Sequence, residues 1–268
     1  MYEIKNACVK GFEMPYMKFG GGKKTMVILP GLSVQSVLKS ASAIERSFSL
    51  FKEEYTVYLF DRREALPAVY TVDDMARDTV GVLKELSLTG IYLYGASQGG
   101  MIAMRIASEN PDMIAKLALA STALNVRENN TEVLDGWIGK AEAGDAEGLY
   151  LDFGEKLYPP RLFSAFRGML VENAKNVTSA ELTRFCVLAR AAIGFDASED
   201  VKKIVCPVFV AGSLDDRVLG GDTVNALIAA FGEARRAPVE SRVYDGYGHA
   251  VYDTAPDFRK RLYGFFGS

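Results

Sequence analysis

Residues 91–102 constrain the fold of this chain more than any other segment. A short apolar run typical of a β-strand leads directly into Gly-Ala-Ser-Gln-Gly at residues 95–99, and a helical pattern begins at once. Such a strand–turn–helix junction holds its serine in a strained, exposed position from which the hydroxyl can attack a carbonyl carbon. Gly95 and Gly99 let neighbouring backbone pass close to the bend. The sequence therefore predicts Ser97 as a nucleophile at the N-terminus of a helix, where the helix dipole favours a developing negative charge.

The chain contains a single histidine, His249, on a glycine-containing loop near the C-terminus. In an arbitrary protein, a lone histidine is more often a surface or core residue than a catalytic one. A serine hydroxyl at its ordinary pKa nevertheless needs a positioned base, and imidazole is the usual one. If Ser97 is a nucleophile, no other histidine can serve it, so His249 is the predicted base.

A carboxylate is then expected to orient the imidazole. Asp215 and Asp216 follow a predicted buried strand, but adjacent side chains point in different directions, and only one should reach His249. The alternative is that both are solvated turn residues. The residues themselves leave this choice open.

The order Ser97, Asp216, His249 resembles the nucleophile–acid–base order of the α/β-hydrolase superfamily, and the resemblance covers nearly the whole chain. In that family the acid is often followed by x-[Ile/Val]-x-[Pro/Gly], which favours Asp216. The usual spacing from a strand-end glycine, here Gly212, favours Asp215 instead. Asp216 is the predicted acid, with Asp215 as the alternative.

The resemblance extends to the loop after the third predicted strand, where the family carries His-Gly-x and this chain has Pro30-Gly31-Leu32. Because the family's oxyanion hole is built from backbone N–H groups, the resemblance implies Leu32 and Gln98 as its donors. Pro30 replaces the usual histidine, so the loop must be braced in another way.

Strand and helix signals alternate along the chain, which predicts a doubly wound, mostly parallel sheet with helices on both faces. Ligands of such sheets bind at the carboxyl ends of the strands. The resemblance implies an eight-stranded sheet of the α/β-hydrolase type. The predicted strands are residues 3–9, 15–19, 25–29, 56–60, 91–94, 117–120, 208–211 and 241–244.

The alternation stops between about residues 125 and 200, where helical patterns occur without a convincing strand. We expect residues 1–124 and 201–268 to form the hydrolase core and residues 125–200 to form an inserted helical lid. One lid helix is predicted to begin at a capping box, Thr178 to Glu181, and to be closed by Gly194.

Aromatic side chains of the predicted lid are candidates for contact with a substrate. Trp137, Tyr150 and Phe153 are predicted as substrate-binding residues. The alternative is that they only attach the lid to the core, as large apolar side chains commonly do.

Composition excludes several other functions. The net charge of −3 and the lack of a basic stripe argue against nucleic-acid and membrane partners. Cys8, Cys186 and Cys206 are odd in number and widely spaced, which predicts neither disulfides nor a metal site, and no cofactor is expected. No apolar run reaches transmembrane length, and Met1 to Lys5 begin a strand rather than a signal peptide, so the cytoplasm is the predicted location.

These observations predict a serine hydrolase that cleaves a small carboxylic ester or related acyl compound through an acyl-serine intermediate. The same residues also suit thioester, lactone, peptide or C–C bond cleavage, because the lid selects the substrate. A non-catalytic protein that binds a small ligand is the remaining alternative. The sequence does not determine the oligomeric state, and a homodimer is one possibility.

Overall fold

An eight-stranded β-sheet forms the centre of the computed structural model, which describes residues 1–9, 11–127 and 131–268. The strands are β1 (Tyr2–Val9), β2 (Phe12–Gly20), β3 (Lys24–Leu29), β4 (Tyr55–Phe60), β5 (Ile91–Ala96), β6 (Ile114–Ala120), β7 (Val208–Ser213) and β8 (Val239–Tyr244). Their order in the sheet is β1-β2-β4-β3-β5-β6-β7-β8. β2 pairs antiparallel with both β1 and β4, and every other pair is parallel. The predicted sheet is therefore confirmed.

All eight predicted strands are present, and the differences lie at their ends. β6 begins at Ile114, earlier than the apolar run 117–120 indicated. The intervening Lys116 lies within the strand, but its amine reaches past the sheet to the carbonyl oxygens of Phe265 and Ser268, at 2.7 and 2.6 Å. A lysine with its charge placed at a helix C-terminus is compatible with a half-buried strand position, although it interrupts the apolar pattern.

Helices cover both faces of the sheet. Within the described residues they are α1 (Ala41–Ser47), α2 (Val72–Glu85), α3 (Gln98–Glu109), α4 (Glu132–Glu142), α5 (Ala146–Leu157), α6 (Pro160–Ala174), α7 (Ser179–Arg190), α8 (Thr223–Ala234), α9 (Val251–Thr254) and α10 (Phe258–Gly267). Because side chains alternate along a strand, Val27 and Leu29 of β3 join the core beneath α2, α3 and α8, whereas Met26 and Ile28 join the core beneath α10. No helix of this described part is long and apolar enough to cross a membrane.

The helices α4 to α7 lie between β6 and β7, in the segment predicted to be helical, and we call them the helical insertion. Asn125 and Asp196 form an isolated antiparallel bridge, so the two ends of this segment meet. The predicted capping box of Thr178 and Glu181 opens α7. α7 ends at Arg190, four residues before the predicted Gly194. Residues 191–194 form turns, and Gly194 has a positive φ of 79°. The division into core and lid at residues 125 and 200 stays a prediction.

Close backbone packing fixes the start of α3 against the end of β3. A Cβ atom added to Gly99 would lie 2.0 Å from the carbonyl oxygen of Leu29 and 2.6 Å from that of Pro30. Both contacts are with backbone, which cannot move aside cheaply. Only glycine therefore lets α3 sit this close to the carboxyl end of β3.

We expect Gly99→Ala to lower the free energy of unfolding by about 3 kcal/mol, because the new methyl group overpacks rigid backbone. Gly139→Ala is the matched control, since Gly139 is an exposed position in α4 with no heavy atom within 4 Å of an added Cβ. This control should raise the free energy of unfolding by about 0.5–1 kcal/mol through better helix propensity. Urea unfolding measures both values, and equal effects at the two positions would contradict the packing described.

Candidate active site

Ser97 occupies the tight turn between β5, which ends at Ala96, and α3, which begins at Gln98. Its backbone has φ 51° and ψ −121°, a conformation that residues with a side chain rarely adopt. The N–H of Ser97 donates to the carbonyl oxygen of Ala120 in β6 at 2.9 Å, which holds the turn in place. The hydroxyl of Ser97 is thereby presented at the carboxyl end of the sheet.

Three loops bring Ser97, His249 and Asp216 into one hydrogen-bonded chain. Nε2 of His249 lies 3.0 Å from Oγ of Ser97, and Nδ1 of His249 lies 2.8 Å from Oδ2 of Asp216. The imidazole is 2% exposed, so water does not compete for either nitrogen. A hydroxyl, an imidazole and a carboxylate in this order can pass a proton from the hydroxyl to the imidazole.

Asp216 is held by two backbone groups as well as by the imidazole. Its Oδ1 accepts hydrogen bonds from the N–H groups of Val218 and Leu219, at 2.8 and 3.0 Å. Burial by itself raises the pKa of Asp216, but the imidazole of His249 and these hydrogen bonds outweigh burial, so the pKa lies below its ordinary value. The side chain is therefore a fixed negative charge beside the imidazole.

Asp215 does not contact the imidazole but holds the loop that carries it. Its Oδ1 accepts from the N–H groups of Gly246, Tyr247 and Gly248 at 3.0–3.1 Å, and the hydroxyl of Ser213 also donates to it. Burial acts to raise the pKa of Asp215, whereas these donors lower it, and the net pKa lies below its ordinary value. The two aspartates thus have separate contacts: Asp216 binds the imidazole and Asp215 binds the backbone just before it.

The loop after β3 lies against Ser97. A Cβ added to Gly31 would be 3.1 Å from Cβ of Ser97 and 3.7 Å from its Oγ. Within the described ranges of the chain, the N–H groups of Leu32 and Gln98 donate to no acceptor, and that of Gln98 belongs to the unpaired first turn of α3. The side-chain amide of Gln98 donates to the carbonyl oxygen of Leu188 at 2.6 Å and so fastens α7 above the turn. The two predicted oxyanion donors are thus on backbone beside Ser97.

The predicted substrate-binding aromatics lie in the helical insertion but differ in exposure. Trp137 is 1% exposed and packs on Phe153, with the ring centroids 4.5 Å apart, and Phe153 in turn packs on Phe185. Tyr150 is half-buried, and its hydroxyl lies 3.1 Å from Oε1 of Gln35. Contact of these three residues with a substrate stays a prediction.

Gln35, which the sequence gave no reason to select, joins the loop after β3 to the helical insertion. Its amide nitrogen lies 3.1 Å from the carboxylate of Glu181 and 3.2 Å from the carbonyl oxygen of Asn176. Lys39 also contacts Glu181, at 2.7 Å. Partial burial opposes ionisation of Glu181, but Lys39, Thr178 and Gln35 lower its pKa to about 2. The insertion is therefore tied to the loop after β3 by a charged contact.

Across residues 1–9, 11–127 and 131–268, no group of three or more His, Cys, Asp or Glu side chains is arranged to bind a metal ion. Cys186 and Cys206 are buried free thiols, and Cys8 is an exposed one. Two surface cavities of about 330 and 560 Å³ are lined by residues of α8 and its neighbouring loops, not by Ser97 or His249.

Comparison with known proteins agrees with this architecture. The sequence profile of the Alpha/beta hydrolase family matches residues 26–259, which is most of the chain. The chain therefore belongs to the alpha/beta hydrolase family, and the predicted family and fold are confirmed.

Individual relatives are distant in sequence. "Putative carbamate hydrolase RutD" of Caulobacter segnis is 25% identical over 241 residues, which cover 87% of each protein. Among solved structures, an alpha/beta hydrolase enzyme from a Medee basin deep-sea metagenome library superposes with a TM-score of 0.85 at 21% identity and 98% coverage of both chains. An esterase from Exiguobacterium antarcticum superposes with a TM-score of 0.78 at 20% identity and 100% coverage of both chains. These relatives are all named as hydrolases.

Proposed function

We propose that this protein is a serine hydrolase that cleaves carboxylic esters or related acyl compounds through a covalent acyl-Ser97 intermediate. The observation that carries the proposal is the continuous chain of contacts from Oγ of Ser97 through His249 to Asp216, at 3.0 and 2.8 Å. These distances are within hydrogen-bond reach for a nucleophile and its base. The strained turn at Ser97 supports the same role, because strain of this kind persists mainly at functional sites.

The reaction proceeds in two halves. His249 accepts the Ser97 proton as Oγ bonds to the acyl carbon, and the N–H groups of Leu32 and Gln98 stabilise the oxygen that becomes negative. The C–O bond to the alcohol then breaks, and His249 gives its proton to the departing oxygen. In the second half, His249 removes a proton from water, the hydroxide attacks the acyl carbon, and the carboxylic acid leaves as Oγ regains its proton.

The mechanism suits several classes of acyl compound, of which the protein is expected to cleave only some. The Caulobacter segnis relative is named for carbamate hydrolysis, and a carbamate carbonyl is open to the same attack by Ser97. We propose that the helical insertion selects among such acyl compounds. A panel of p-nitrophenyl esters of increasing chain length, with an aryl carbamate included, measures this selection. Binding of every probe without turnover would instead identify a ligand-binding protein.

Ser97→Ala should lower kcat by about 10⁴–10⁶-fold while the protein stays folded, because it removes the nucleophile and leaves the surroundings intact. A fluorophosphonate should label the wild-type protein once, on Ser97, as mass spectrometry of peptides would show. Circular dichroism of the Ala variant controls for folding. Labelling at another residue, or undiminished turnover by a folded Ala variant, would overturn the mechanism.

Asp216→Asn should lower kcat by about 10³–10⁴-fold, because an amide in place of the carboxylate leaves the imidazole in the wrong tautomer. Asp215→Asn is the matched control. Its amide oxygen can still accept from the N–H groups of Gly246, Tyr247 and Gly248, so kcat should fall less than tenfold. Steady-state kinetics on p-nitrophenyl acetate compares the two, and the reverse order would assign the acid role to Asp215.

A further inference from the structure

Arg62 is a buried cation directly after β4, at the same edge of the sheet as Ser97. It is 4% exposed, and its Nε is buried with no hydrogen-bond partner in the described part of the chain. Burial lowers the pKa of the guanidinium, while the carboxylate of Asp61 acts in the opposite direction. An arginine side chain stays protonated in proteins, and burying a charge with few partners is costly. A role in stabilising the fold alone explains poorly why this guanidinium is buried with its Nε unpaired.

The guanidinium makes one hydrogen bond within the described residues, from Nη2 to the carbonyl oxygen of Pro30 at 2.8 Å. The same carbonyl oxygen is also packed against the start of α3, because an added Cβ on Gly99 would lie only 2.6 Å from it. Pro30 itself has no N–H and no polar side chain with which to fix the loop. The contact from Arg62 therefore sets the orientation of the peptide group that leads into Gly31 and Leu32.

A second arginine holds Arg62 in place. Arg184 of α7 donates to the carbonyl oxygens of Arg62, Arg63 and Glu64 at 3.0, 2.7 and 2.9 Å. Asp61, which is 7% exposed, accepts the backbone N–H of Arg62 at 2.7 Å and lies 3.9 Å from Arg184. The backbone of the loop after β4 is thus held by hydrogen bonds where it presents Arg62 to Pro30.

We propose that Arg62 is a positioning residue for the oxyanion hole, which holds the Pro30 carbonyl so that the N–H of Leu32 faces the oxygen that becomes negative. This inference rests on the proposed function. Arg62 acts through the loop and does not touch the reacting atoms. Arg62 should therefore affect the binding of the transition state and not that of the substrate, because the N–H of Leu32 is needed only when the acyl oxygen carries charge.

The test compares Arg62→Met and Arg62→Lys with the control Arg63→Met. Arg63 lies in the same loop and contacts Asp78 and the carbonyl oxygen of Ala65, but not Pro30. Active sites are counted with a fluorophosphonate, and kcat is calculated per labelled site, so that a loss of folded protein does not lower the measured kcat. The measurements are kcat and KM for p-nitrophenyl acetate and the inhibition constant of an alkylboronic acid, whose tetrahedral adduct carries a negative oxygen.

Arg62→Met should lower kcat per labelled site about 10- to 100-fold. This loss is similar to or smaller than the loss caused by removing an oxyanion donor. KM should stay within about threefold of the wild-type value. The boronic acid should bind more weakly by the same factor by which kcat/KM falls. Arg62→Lys keeps the charge and a donor and should recover part of both losses, and Arg63→Met should leave both within threefold. If Arg62→Met does not fold, Arg62→Lys alone must show a parallel loss of kcat/KM and of boronic acid affinity.

The proposal is wrong if kcat per labelled site is unchanged in the Arg62 variants, if only KM changes, or if boronic acid affinity stays constant while kcat falls. It is also wrong if Arg63→Met causes equal losses. Failure of wild-type Ser97 to react with the fluorophosphonate, or full turnover by Ser97→Ala, would reject the proposed function itself. The two failures are therefore distinguishable.

Discussion

The turn between β5 and α3 is the constraint on which the rest of the site depends. Ser97 is held at φ 51° while Gly99 packs against the carbonyl oxygens of Leu29 and Pro30. This packing fixes the first turn of α3, the loop after β3 and the serine hydroxyl relative to one another. A nucleophile and its oxyanion donors must be aligned to well under 1 Å to be effective. Close backbone contact at Gly99 holds Ser97 and the first turn of α3 against the loop after β3.

The helical insertion is attached to both sides of this turn. On the side of Asp216 and His249, Arg217 donates to the carbonyl oxygen of Tyr158 at 2.8 Å, and the N–H of Ala250 donates to that of Leu157 at 3.1 Å. On the other side, Arg184 and Glu181 of α7 contact the loops after β4 and β3. The insertion therefore contacts both the loop that carries His249 and the loops after β3 and β4.

Sequence patterns predict the eight strands, the helical segment and the meeting of Ser97, Asp216 and His249, because these depend on local periodicity and on scarce residue types. The choice between Asp215 and Asp216 was open because two neighbouring carboxylates have nearly the same sequence context. Only the tertiary contacts separate them, one on the imidazole and one on backbone N–H groups. Arg62 was missed for the same reason, since its contact with Pro30 joins two loops whose strands become neighbours only in the sheet.

In the proposed mechanism His249 removes the proton from Ser97, and this step is directly measurable because the chain has a single histidine. NMR follows the titration of the only imidazole in the free protein, and kcat/KM is measured over the same pH range. We expect kcat/KM to rise with pH through one ionisation whose midpoint coincides with the imidazole midpoint, because a protonated imidazole cannot accept the serine proton. A kinetic midpoint clearly separated from the imidazole midpoint, with chemistry shown to be rate-limiting, would contradict it.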